Sequence, residues 1–172
     1  MLVETGRTLT AAGLKKISSG LLPQGTVLLS SRAPIGYLAV AAMPLAMNQG
    51  FIAMICEGQL GNYYVLEWAR ASMAGILTLT HGSSFPEIGK RNFRSLPVLV
   101  PPQPVLDAWH ALAAPLYARI ARSIEESLLL AELQGRLLEQ LLTGELVLPA
   151  GEAAMQAPVS QRIDDRTPTR PT

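Results

Sequence analysis

The chain is poor in the residue types that most enzymes use for chemistry. Among 172 residues there are one cysteine and two histidines, and only 16% are Asp, Glu, Lys or Arg. A lone thiol, Cys56, cannot close an internal disulfide, and inside the apolar run Phe51 to Glu57 it reads as a buried, inert side chain. The histidines, His81 and His110, stand far from each other and from Cys56, so no set with zinc-ligand spacing exists. No glycine-rich phosphate cradle of the P-loop or dinucleotide type occurs. Gly82-Ser83-Ser84-Phe85-Pro86 is not the G-x-S-x-G elbow of a serine nucleophile, and no acid partner for His81 is evident, which leaves hydrolysis through His81 and Ser83 a remote alternative. No catalytic residue, metal or cofactor is assigned.

Long apolar runs are also missing. The mean hydropathy is positive, +0.27, yet the stretch to test, Ile35 to Cys56, carries Pro44, Asn48, Gln49 and Gly50 near its middle. Those groups would be unsatisfied in hydrocarbon, so strands and a turn are expected there and no membrane partner. The start, Met1 to Thr10, lacks a basic segment followed by an apolar run of roughly 7 to 15 residues, so no secretory signal is visible and the cytoplasm is the expected compartment.

What the chain has in quantity is apolar side chains, 49% of the total. That fraction, at this length, fits one packed domain or a modest domain with an appended element, and not disorder. The net charge of +1 is unevenly spread. Residues 1 to 100 hold eight basic and four acidic groups, a net +4, and residues 101 to 172 hold six basic and nine acidic groups, a net −3. The front is the side suited to a polyanion, although an imbalance of this size is weak on its own.

Turn residues divide the front into short elements. Thr26 to Ser31 reads as a strand, Arg32-Ala33-Pro34 as a turn and Ile35 to Ala42 as the hairpin partner. Phe51 to Glu57 reads as another strand. Asn62 is placed to cap a helix running to about Ala74, with Trp68 in the core. Leu96 to Val100 reads as a strand stopped by Pro101-Pro102. The texture then changes. From Val105 to Leu142 turn signals almost vanish, and Leu112, Leu116, Ile120, Ile124, Leu133, Leu137 and Leu141 recur at helical spacing. Unbroken, that helix would be roughly 57 Å long at 1.5 Å per residue. Pro115 is expected to kink or restart it, Gly135 to weaken it, and Thr143-Gly144 to end it. So wide an apolar stripe needs a second helix along it, most simply as a coiled coil. The expected organisation is an α+β chain: a small, mostly β fragment with a short helix over 1–102, a coiled-coil-forming helix over 103–146 and a disordered tail over 147–172.

Three segments carry a resemblance. "LPQGTVLLSSRAPIGYLAVAAMPLAMNQGFIAMI", "HGSSFPEIGKRNFRSLPVLVPP" and "LLLAELQGRLLEQLLTGEL", in this order and spacing over roughly residues 20 to 148, resemble the DNA specificity subunits of type I restriction-modification enzymes. The match is to the later part of one target recognition domain and its helical spacer. The resemblance implies a non-catalytic subunit that reads one half of a bipartite target. It implies as partners double-stranded DNA, an adenine methyltransferase subunit, a restriction endonuclease subunit, and a second specificity half or copy through the coiled coil. The sequence departs from the family in beginning inside the recognition domain, and in having Gln103-Pro104-Val105-Leu106 where a Glu-Gln step is common. "VPPQP" lacks the asparagine and the aromatic of an Asn-Pro-Pro-Tyr methyltransferase step, so no methyl transfer is assigned.

On that reading Arg32 and the cluster Lys90, Arg91 and Arg94 are candidates for phosphate contacts, and His81, Ser83 and Ser84 for base or phosphate contacts. A solvated cluster and a purely structural loop are the alternatives. Asn48-Gln49 fits backbone capping better than adenine readout. A second reading remains open, in which a truncated assembly or regulatory protomer pairs through Leu112, Leu116, Ile120, Ile124, Leu133, Leu137 and Leu141 without touching DNA.

Overall fold

The structure is a computed structural model and describes residues 1–82 and 86–146. Its core is organised by β1, Val27–Ser30, all four residues of which are buried. β1 lies between β2, Leu38–Val40, and β3, Phe51–Met54, and pairs antiparallel with both. The register Val27↔Val40 and Val27↔Met54 leaves neither edge of β1 unpaired. With both edges and both faces covered, an apolar run in place of an alternating one is what the strand requires.

Alternation along β1 then sorts its neighbours, since successive side chains point to opposite faces. Leu28 packs with Leu22, Ala41 and Leu45 on one face. On the other, Val27 meets Val40 and Leu66, and Leu29 meets Ile52, Ala69, Ile76, Ile88 and Phe93. The turn after β1 is closed by Ser30, whose hydroxyl donates to the Pro34 carbonyl at 2.9 Å and accepts from the Tyr37 amide at 2.8 Å.

The helices covering that second face are α2, Asn62–Ala71, and α3, Met73–Leu77, which follow the four-residue α1, Ala11–Leu14. The expectation that Asn62 caps α2 is corrected. Gly61, at φ +67, is the cap residue, and the Asn62 side chain accepts from the adjacent Tyr63 amide instead. A left-handed backbone excludes most side chains there, so glycine holds the cap position and Asn62 moves one place into the helix. Beyond α3 come the paired strands β4, Thr80–His81, and β5, Glu87–Ile88, and a single helical turn, α4, Lys90–Phe93.

Leu96 to Val100 forms no strand, contrary to expectation. Pro97 removes one ladder donor, and the segment is tied to α2 by side chains. Trp68 Nε1 donates to the Pro97 carbonyl at 3.2 Å and the Tyr64 hydroxyl donates to the Leu99 carbonyl at 2.9 Å. Trp68 also meets Phe93 edge to face, with ring centroids 6.1 Å apart. Cys56 is half-buried, less covered than its apolar run suggests. Burial pushes its thiol pKa up, against a smaller opposing effect from the Val27 backbone.

One helix, α5, runs over Gln103–Thr143 with Pro115 inside it, so the proline marks no restart. Pro115 cannot donate to the Ala111 carbonyl, but Ala111 and Pro115 are both exposed and water can satisfy that group. Gly144, at φ +75, follows the last turn, and the Leu146 amide donates back to the Gln140 carbonyl at 3.0 Å. The chain is thus an α+β fragment followed by a long helix. It divides into two compact units, Met1–Leu129 and one beginning at Leu130. Residues 147–172, expected to be a disordered tail, lie outside the described residues. No helix among the described residues is long and apolar enough to cross a membrane.

Within the first unit α5 is seated on the start of α2. Leu106 and Ala113 are buried, Tyr117 stacks on Tyr63 with centroids 4.2 Å apart and planes 6° from parallel, and the Tyr117 hydroxyl donates to the Glu67 carboxylate. Burial, and then that carboxylate, push the Tyr117 pKa above its ordinary value. His110 sits against Gly61 so closely that a Cβ added there would stand 2.3 Å from His110 Cε1. Gly61→Ala should therefore lower stability by about 1–3 kcal/mol, through overpacking and a strained φ together. Adding His110→Ala should return only the steric part, which urea denaturation of the single and double variants would resolve. Equal stability of Gly61→Ala and the parent chain would contradict this packing.

Candidate nucleic-acid interface

Arg32 leaves the end of β1 just beyond the buried Ser31, and β5 comes alongside it. The Ile88 amide donates to the Ser31 carbonyl at 2.9 Å, and Arg32 and Glu87 form an antiparallel bridge. Ile88, 1% exposed, is the anchor that fixes this approach. Arg32 Nε then lies 3.1 Å from a Glu87 carboxylate oxygen, with both side chains about half exposed. The Arg32 stem also passes Gly50, whose turn is closed by Asn48 Oδ1 accepting from the Gly50 amide at 2.9 Å. Asn48 thus serves the backbone, as its position between a proline turn and a strand suggests.

Glu87 faces His81 across the β4–β5 ladder, and His81 is hydrogen-bonded through Nε2 to the side-chain amide of Asn92 in α4. α4 is held from beneath by Phe93, 7% exposed, while Lys90, Arg91 and the following Arg94 are exposed. Helical spacing sets these three cations on one side of the turn. The fold therefore links Arg32, His81 and the Lys90-Arg91-Arg94 cluster, far apart in sequence, through Glu87 and Asn92 into one ridge. Ser83 and Ser84 lie outside the described residues. Among the described residues none of the three cations of the cluster is in an ion pair, in contrast to Arg32.

Beside this ridge is an open recess of about 480 Å3, lined by Arg32, Tyr37, Asn48, Gln49 and Phe51 among others. Tyr37 is 69% exposed and Phe51 36%. Aromatic rings beside amide and guanidinium groups can pack on planar ligands while hydrogen-bonding their edges. Among the described residues no group of acids, histidines and cysteine is placed to hold a metal ion. Glu87 and Asn92 carry no signal in the sequence: Glu87 is 55 positions from Arg32, and no local pattern announces that pairing.

The second candidate surface is the exposed apolar stripe of α5. Within the first unit Leu112, Leu116 and Ile120 are exposed, Ile124 is half-buried, and a shallow groove runs over Leu116, Ile120, Ile124 and Leu128. In the second unit Leu133, Leu137 and Leu141 are exposed, and the i,i+4 pair Glu132 and Arg136 lies on the charged side of the helix. Exposed leucines repeated over this many turns are more than the scattered apolar residues of an ordinary surface.

Comparison with known proteins supplies a family. The family model of the type I restriction modification DNA specificity domain matches residues 3–105. The specificity subunit of the type I restriction enzyme MjaIX of Methanocaldococcus jannaschii is 36% identical over 97 residues, which is 55% of this chain and 22% of that protein. The chain thus aligns with about a fifth of the length of that curated relative.

Proposed function

The chain belongs to the type I restriction modification DNA specificity family, and from that premise we propose that it supplies a DNA-recognition surface to a restriction-modification assembly. In this reading residues 1–102 are the recognition portion, partial in extent, and 103–146 are the helical spacer. The subunit does no chemistry itself. It acts in the cytoplasm, where an adenine methyltransferase subunit and a restriction endonuclease subunit act on the bipartite target it selects.

The observation that carries the reading is the exposed cationic ridge. Lys90, Arg91 and Arg94 stand unpaired among the described residues on a turn anchored by Phe93, next to Arg32 and His81. Exposed, unpaired cations on a rigid base suit phosphate contacts, which position a protein on a duplex without selecting sequence. His81, with Ser83 and Ser84 close to it in sequence, is assigned to base edges.

A second role accompanies it. The open leucine face of α5 supports pairing with another specificity half or a second copy of this chain. Two half-sites one helical turn apart are about 34 Å from each other, and paired helices can hold two recognition portions at such a distance. The alternative, a protomer that pairs through this face and never touches DNA, rests on the same leucines.

Two measurements separate these readings. Replacing Lys90, Arg91 and Arg94 by alanine should weaken binding to every duplex sequence alike and flatten the dependence of log affinity on log salt, by up to about 0.9 for each phosphate no longer neutralised. Binding by the parent chain that is unchanged between low and physiological salt would overturn DNA recognition. Replacing Leu116, Ile120 and Leu137 by glutamate should convert an associating chain into a monomer in sedimentation, with melting of the front portion unchanged. Identical association of the two would exclude this face as the pairing surface.

A further inference from the structure

Arg32 is the one cation of the ridge with an acidic partner among the described residues, and that pairing changes what it can read. An ion pair this exposed contributes about 0–1 kcal/mol, so stability is a poor reason for it. Its geometry is more informative. The Arg32 backbone is bridged to Glu87, Nε is held at 3.1 Å from the Glu87 carboxylate, and the stem lies against the Asn48-Gly50 turn. The Glu87 carboxylate thus lies on the Nε side of the guanidinium as an ion-pair contact, and the two terminal nitrogens have no partner among the described residues. It also borders the recess with Tyr37, Gln49 and Phe51.

We infer that Arg32, oriented by Glu87, reads a guanine edge in the major groove and makes no phosphate contact, with Glu87 as the positioning residue. This rests on the DNA reading above and deepens it. A phosphate is a poor partner because the carboxylate beside Nε cancels the cation and would repel the phosphate oxygens. Guanine offers O6 and N7, two uncharged acceptors matched to the planar fork of terminal N–H groups. An acidic partner on the Nε side, with the stem against the Asn48-Gly50 turn, biases the side chain toward one orientation, which serves an oriented base contact more than a diffuse charge contact. Lys90, Arg91 and Arg94 then supply the sequence-independent attraction, and Arg32 with Glu87 supplies discrimination at one G·C pair.

The test uses the full chain and a pool of duplexes with randomised positions, selected by the parent chain and by Arg32→Lys, Arg32→Ala and Glu87→Gln, with salt dependence measured for each. The parent should enrich a G·C pair at one position. Arg32→Lys, which keeps the charge and removes the fork, should lower preference at that position alone by roughly 10- to 100-fold, with an unchanged salt slope. Glu87→Gln should blur the same position and steepen the salt slope by about 0.9, because the freed cation becomes available to phosphate. A uniform weakening for every duplex in Arg32→Ala with a shallower slope would make Arg32 a phosphate contact and overturn the inference. So would Arg32→Lys with a parental preference profile. If those variants behave in either of these ways while the alanine variant of the Lys90 cluster still weakens binding, only this inference falls. If the parent chain binds no duplex, or binds independently of salt, the DNA reading falls with it.

Discussion

Burial of β1 on both faces and both edges is the constraint from which the rest of the molecule follows. Leu29 gathers Ile76 from α3, Ile88 from β5 and Phe93 from α4 into one cluster. Two of those three anchors, Ile88 and Phe93, carry the ridge: one brings Glu87 to Arg32, the other seats the turn with Lys90 and Arg91. Val27, on the same face, joins Leu66 and the partly buried Tyr117. A single four-residue strand thus positions both the cations proposed to meet DNA and the first turns of the long helix. Large-to-small changes at such a site weaken packing against several elements at once, which is why they cost about 2–5 kcal/mol in well-packed cores.

The long helix has a buried portion and an exposed one. Tyr117 stacks on Tyr63 of α2 and His110 lies against Gly61 at its start, while Leu106 and Ala113 are buried. Leu112, Leu116 and Ile120 remain in water. The contacts of Tyr117 and His110 make the helix head part of the first compact unit. Such exposed apolar residues are an energetic liability in an isolated chain, and pairing with another helix is the ordinary remedy.

Much of this organisation is legible in the sequence, and the departures share a cause. β1, β2, β3, α2 and the extent of α5 follow from short-range patterns: alternation, turn residues and helical spacing. Asn62 is by type a good capping residue for α2, whereas Gly61 is required there by its approach to His110, some fifty positions away. Leu96 to Val100 has strand composition, but its carbonyls are engaged by Trp68 and Tyr64, and among the described residues no strand lies beside it. The ridge is legible only in parts. Arg32, His81 and the Lys90 cluster are visible as residue types, whereas Glu87 and Asn92, which join them, acquire meaning only once β5 is laid beside Ser31.

The claim that the β4–β5 and α4 ridge is the DNA-facing surface is tested most directly by mapping backbone amide shifts of the full chain as a short duplex is added. The account predicts perturbations concentrated at Arg32, His81, Glu87 and Lys90 to Arg94, with the outer face of α5 silent. Shifts confined to Leu112 through Leu128, or none on the ridge at saturating duplex, would contradict it.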